Sequence, residues 1–245
     1  MFASFALAAL AAVQSLSVPE ASYPAVPERA VVAEGFAPSG WTVESEAQGD
    51  LNGDGASDLA LVLRDRDPRN VIEHDGLGDN PWDTNPRMLV VAFADGAGYR
   101  RVVVDTRLIP RSDSPTQMDV LGDVEAPSIR RGSLRVSVGH WMSAGGWGMW
   151  RRTYTFRLNR DRFQLIGFDD FDLHRGSGEF TERSINYVTR RMSVTTGNVG
   201  DDRTQETWRR APEGGPIWLE DVGDGLMFDP EASAPPPARS ADPAR

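Results

Sequence analysis

The sequence predicts an all-β protein with a single antiparallel sheet domain, sandwich or barrel-like, over residues 35–230. Three observations point there. Several segments alternate apolar and polar residues, as strands with one wet face do. Gly, Asn and Asp clusters punctuate them as turns. No stretch sustains a 3.6-residue apolar period over about twelve residues.

The elements follow in order. Residues 2–13 form an apolar run of secretory length, too short to span a bilayer, so residues 1–17 are expected to be a signal peptide. Its first residues carry no Lys or Arg. Pro19, Pro24 and Pro27 mark residues 18–34 as an extended linker. Residues 59–63 suit a buried strand. Residues 88–94 and 99–104 form a hairpin around Asp95-Gly96-Ala97-Gly98. Leu134, Val136 and Val138 alternate with Ser133, Arg135 and Ser137. Trp150, Tyr154, Phe156 and Leu158 then alternate with Arg151, Thr153, Thr155 and Arg157, and residues 163–168 follow a turn at Asn159-Arg160-Asp161. These three strands read as a meander, which residues 185–188, 192–196 and 204–208 extend. The irregular stretches 65–86 and 107–128 are long enough to suggest function. Residues 231–245 have little to bury and read as a disordered tail.

Composition narrows the chemistry. The net charge is −10, and all 26 basic residues are Arg. An acidic chain repels a polyphosphate backbone, which argues against nucleic acid as a partner. Without Lys there is no Schiff-base amine and no P-loop lysine. Without Cys there is no thiol nucleophile, thiolate metal site or disulfide. An exported domain lacking disulfides relies on its core or on bound metal.

The strongest motif is Gly49-Asp50-Leu51-Asn52-Gly53-Asp54-Gly55-Ala56-Ser57-Asp58. Oxygen donors fall at Asp50, Asn52, Asp54 and Asp58, with the Ala56 carbonyl available between them. Ca²⁺ takes six to eight hard oxygens, and a curled loop turns alternate residues toward one point. Gly55 permits the sharp turn. Position 12 of the loop is Leu61, where an EF-hand has a bidentate Glu, and the residues that follow read as strand. This combination resembles the FG-GAP or VCBS-type repeat of integrin-like proteins, over about residues 49–63. The resemblance implies calcium held by Asp50, Asn52, Asp54, Ala56 and Asp58, in a loop that clips two strands together. The motif occurs once, with only a degenerate echo at Asp221-Val222-Gly223-Asp224-Gly225, so a full propeller of at least four blades is not expected.

Two other groups carry candidate chemistry. Trp141, Trp147 and Trp150 flank a glycine-containing tip, and flat exposed rings there would suit a sugar. Asp170, Asp172 and His174 alternate, and on a strand they would share one face as an acid/base group or second metal site. A solvated strand end is the plainer account of them, and a half-buried core residue that of His140. The sequence thus predicts an exported, calcium-stabilised β module of the cell envelope, periplasmic or secreted, with a binding or structural role. Its partner would be an envelope protein or glycan. A carbohydrate-binding domain and a hydrolase are the alternatives.

Overall fold

The computed structural model describes residues 16–122, 124 and 126–231. The expected signal peptide lies almost wholly outside them, as does most of the expected tail. The described chain is all-β. A five-stranded sheet contains β1 (Arg29–Ala30), β2 (Trp41–Gly49), β3 (Asp58–Asp65), β6 (Arg87–Asp95) and β7 (Gly98–Asp105), in the order β1-β7-β6-β3-β2. A small hairpin pairs β4 (Val71–Ile72) with β5 (Trp82–Asp83). The remaining strands are β8 (Ser128–Arg130), β9 (Ser133–Trp141), β10 (Gly148–Asn159), β11 (Arg162–His174), β12 (Glu179–Asn186), β13 (Arg191–Asn198) and β14 (Thr204–Arg210). They form a seven-stranded antiparallel meander in chain order. A short helix, α1 (Leu219–Val222), follows. No helix among the described residues is long and apolar enough to cross a membrane.

Two-residue side-chain periodicity explains the layers. Ala60 and Val62 of β3 and Leu89 and Val91 of β6 face the seven-stranded sheet. There they pack with Leu134, Val136, Val138, Tyr154, Phe156, Phe163 and Phe168. The two sheets therefore form a sandwich around one main core, and neither closes into a barrel. The other face of the smaller sheet, Leu59, Leu61, Leu63, Met88, Val90 and Ala92, forms a second core. That double burial is why both runs are apolar throughout.

The second core is covered by the N-terminal segment. Residues 18–34, expected as a linker, pack against the sheet and lead into a 3-10 turn at Ala33–Phe36. Val26 and Ala33 are each 6% exposed, Phe36 is fully buried, and β1 pairs with β7. Apolar side chains spaced along this Pro-containing segment and its 3-10 turn supply the contact without any strand period. The C-terminal segment closes the main core in the same manner through Ala211, Leu219, Val222 and Leu226. Tyr154 donates its hydroxyl to the Gly225 carbonyl at 2.6 Å inside that seam.

The irregular stretches 65–86 and 107–128 pack on each other at one end of the sandwich. The Asp79 N–H donates to the Pro115 carbonyl at 2.8 Å, and the Trp82 indole to the Ser112 hydroxyl at 3.0 Å. Residues beyond 115 then run along β9, where the Met118 N–H reaches the Trp141 carbonyl and the Gly139 N–H the Val120 carbonyl.

Candidate functional site

The 50–58 segment is the turn between β2 and β3, and it is curled. The Asp50 carboxylate accepts from the Gly53 N–H at 2.6 Å and the Gly55 N–H at 3.0 Å. Asn52 Oδ1 accepts from the Asp54 N–H at 2.9 Å, and Asp54 Oδ1 from the Ala56 N–H at 2.7 Å. Each short side chain thus folds back on its own backbone, which is the habit of Asx turns. Gly53 and Gly55 have φ of +82° and +86°, left-handed values that a side chain disfavours. Hydrogen bonds from the Ala56 N–H and the Asn52 amide hold the Asp54 carboxyl below its ordinary range.

Asp58 has a different place. It is fully buried, and its two oxygens accept from the Leu51 N–H at 2.8 Å and the Ala94 N–H at 2.9 Å. One carboxylate therefore ties the loop base to β3 and to the end of β6. Asp50, Asn52 and Asp54 stay near solvent, and no three His, Cys, Asp or Glu side chains gather as ligands among the described residues. The donor set is nonetheless all hard oxygen. A carboxylate or amide oxygen that accepts one N–H keeps a second lone pair. Asp50, Asn52, Asp54 and the Ala56 carbonyl thus have the chemistry that suits Ca²⁺.

The three tryptophans do not share one surface. Trp150 lies opposite His140 on the core-side face, and their rings stack at 3.8 Å. Trp141 lies opposite Met149 on the other face, with the Arg175 guanidinium 4.6 Å from its ring centre. Trp147 projects from the hairpin tip at 66% exposure. A cleft of about 350 Å³ runs beside Met118, Val120, His140, Trp141, Met149 and Trp150. Burial lowers the pKa of His140, against a smaller opposing pull from Asp113.

Asp170, Asp172 and His174 do fall on β11, on one face as expected, yet only Asp170 is inside. It is 3% exposed and receives the Arg183 guanidinium at 2.5 Å, with Arg152 at 3.6 Å. Arg152 in turn donates to the carbonyls of Leu226 and Phe228. Asp170 therefore anchors the C-terminal segment through two arginines. Asp172 and His174 are exposed, and His174 Nδ1 stands 3.0 Å from the Ser177 hydroxyl in the adjoining turn. The structure does not assemble the three as an acid/base group.

One cluster has no counterpart in the sequence reading. Arg64 and Arg87 lie directly opposite each other on β3 and β6, a repulsive pairing taken alone. Glu44 and Asp119 neutralise it. Glu44 sits at a bulge in β2, where the register with β3 shifts between Val43 and Ser45. The bulge aims its carboxylate at Arg87 Nε (2.5 Å) and Arg64 (2.9 Å). Asp119 reaches Arg87 at 2.7 Å. Burial would raise the pKa of both carboxyls, but the Arg87 hydrogen bond and charge, with help from Arg64, leave both below their usual values. Arg64, Arg87 and Asp119 of the cluster line a cleft of about 300 Å³ with Trp82, Asp83 and Gln117. That cleft shares Asp119 and Val120 with the aromatic one. The end of the sandwich thus offers a charged half and an aromatic half side by side. Only the length of the two irregular stretches signalled this end of the molecule.

Compared with family models, curated proteins and solved structures, the chain matches none of them.

Proposed function

We propose that the chain is an exported, calcium-stabilised β module of the cell envelope whose role is binding. The observation that carries this is the curled 50–58 loop, in which Asp50, Asn52 and Asp54 fold inward while Asp58 fastens the loop base to two strands. Its donor spacing is what resembles the FG-GAP or VCBS-type repeat. Asp50, Asn52, Asp54 and the Ala56 carbonyl would hold the ion, with Asp58 beneath them. The bound cation would offset the repulsion between carboxylates and add a link between β2 and β3. Extracellular calcium modules bind at about 0.1–1 mM, so an exported chain meets enough calcium to fill such a loop.

Ten millimolar calcium over a dissociation constant of about 0.1 mM stabilises the native state by about 2.7 kcal/mol. For a domain of this size that raises Tm by roughly 5–10 °C. Melting in chelator against melting in calcium reads this directly, and Asp50→Asn with Asp54→Asn should remove the rise. An equal Tm in both buffers, or an undiminished rise in the double variant, overturns the proposal.

The partner would be an envelope protein or a glycan. The exposure of Trp147 and the nearby aromatic cleft favour a glycan, because pyranose faces stack on such rings. A glycan panel should then lose binding in Trp147→Ala. Binding that survives this change removes Trp147 from the ligand surface.

A further inference from the structure

Among the described residues, the seven-stranded sheet ends in an open edge. β14 is its outermost strand, and all seven of its residues are exposed. The other edges are blunted. β8 has three residues and β1 has two, while β2 lies beside β8. An uncovered strand of this length presents a row of unpaired N–H and C=O groups and is a template for another strand.

The register says which groups those are. The Ala211 N–H donates to the Arg190 carbonyl at 3.0 Å, and the β13–β14 pairing then runs without a shift from Arg191↔Arg210 to Gly197↔Thr204. Hydrogen-bonded and non-hydrogen-bonded pairs alternate along an antiparallel ladder. The backbone groups of Gln205, Thr207 and Arg209 therefore face β13, and those of Thr204, Glu206, Trp208 and Arg210 face outward. Arg209 lies on the opposite sheet face from Trp208, where Glu231 is 3.5 Å away. Trp208 is 56% exposed, with the Arg191 guanidinium 4.5 Å from its ring centre. Arg210 is largely exposed, and its ion pair among the described residues is a loose 3.7 Å contact to Glu213.

We propose that β14 pairs antiparallel with β14 of a second copy of this chain, about a two-fold axis at Trp208, joining the two meanders into one continuous sheet. The edge is self-complementary in this register. Trp208 falls opposite Trp208 of the second copy, and Glu206 opposite Arg210 in both directions. All lie on one sheet face, and each outward N–H and C=O of these residues meets its counterpart. An axis centred instead on Glu206 would set two carboxylates against each other. Centred on Thr207, it would set Glu206 against Trp208. Of these three the Trp208 axis alone matches both charge and ring, and an interface that closes on itself in this way gives a discrete dimer.

One strand per copy is a small interface, so association should fall in the micromolar range, and sedimentation at about 10–200 µM is the appropriate measurement. The wild-type chain should sediment at twice the monomer mass at the upper end. Glu206→Arg sets like charges opposite each other twice and should weaken the dimer roughly tenfold or more. Glu206→Arg combined with Arg210→Glu restores the opposition and should restore the dimer. Because the chain has no cysteine, Trp208→Cys reports the axis independently. Residues facing each other across a hydrogen-bonded pair lie about 5.5 Å apart, within disulfide reach. Oxidation should therefore link Trp208→Cys chains well ahead of Thr204→Cys chains. A wild-type monomer at 200 µM, a dimer indifferent to Glu206→Arg, or equal crosslinking of the two cysteine variants refutes the pairing.

Discussion

Removing the Asp58 carboxylate should damage the fold far more than its place in a surface turn suggests. The side chain is fully buried and accepts from two main-chain donors, Leu51 at 2.8 Å and Ala94 at 2.9 Å. Asp58→Ala leaves both donors without an acceptor where water does not replace it. At about 1–3 kcal/mol for each orphaned buried donor, the loss comes to about 2–6 kcal/mol. That lowers Tm by roughly 5–20 °C for a domain of this size. Asp58→Asn keeps the shape but offers one oxygen and one NH₂, so it satisfies one donor and should lose about half as much. Urea unfolding followed by tryptophan fluorescence measures both variants. Working in chelator keeps any bound cation out of the comparison. A loss below about 1 kcal/mol in Asp58→Ala, or wild-type stability in Asp58→Asn, would refute the reasoning.

Acid should loosen the cleft cluster. Glu44 and Asp119 have depressed pKa values in the folded chain. The stability they contribute is therefore complete above the unfolded carboxylate values near 4 and is lost as pH falls through the lower folded values. Glu44→Gln should flatten the stability-against-pH curve below about pH 4, and an unchanged slope would contradict the ion network. Tyr154→Phe should cost about 1–2 kcal/mol in urea unfolding, because the buried Gly225 carbonyl loses its donor. An unchanged midpoint there would mean that the C-terminal segment does not depend on this bond.

The meander was legible because its strands are wet on one face. Leu134, Val136 and Val138 and then Tyr154 and Phe156 alternate with polar residues, so periodicity alone places them. The curl of the 50–58 turn was legible for a similar reason, since its glycines and its Asp and Asn side chains are local in sequence. What stayed hidden depends on distant pairing. Glu44 reaches Arg87 only because a bulge turns it, and nothing in the local sequence marks the bulge. The inward commitment of Asp170 depends on Arg183, which pairs with it from β12. The three tryptophans looked like a platform because they are close in sequence, but the strands carry Trp141 and Trp150 to opposite faces. The N-terminal strap shows no periodic pattern, because only Arg29 and Ala30 of it join the sheet, and Val26, Ala33 and Phe36 reach the core from irregular chain and a 3-10 turn.

That strap has a consequence for how the chain is handled. It precedes the sheet in the chain, yet the surface it shields comes from residues as late as Val104. Its docking must therefore wait until β3, β6 and β7 exist. Until then, Leu59, Leu61, Leu63, Met88 and Val90 present a greasy wall to whatever is nearby. A chain trimmed to begin at Ser39, on the view that its proline-rich front is dispensable, would keep that wall bare permanently. It should precipitate or bind detergent, where the longer chain stays dispersed.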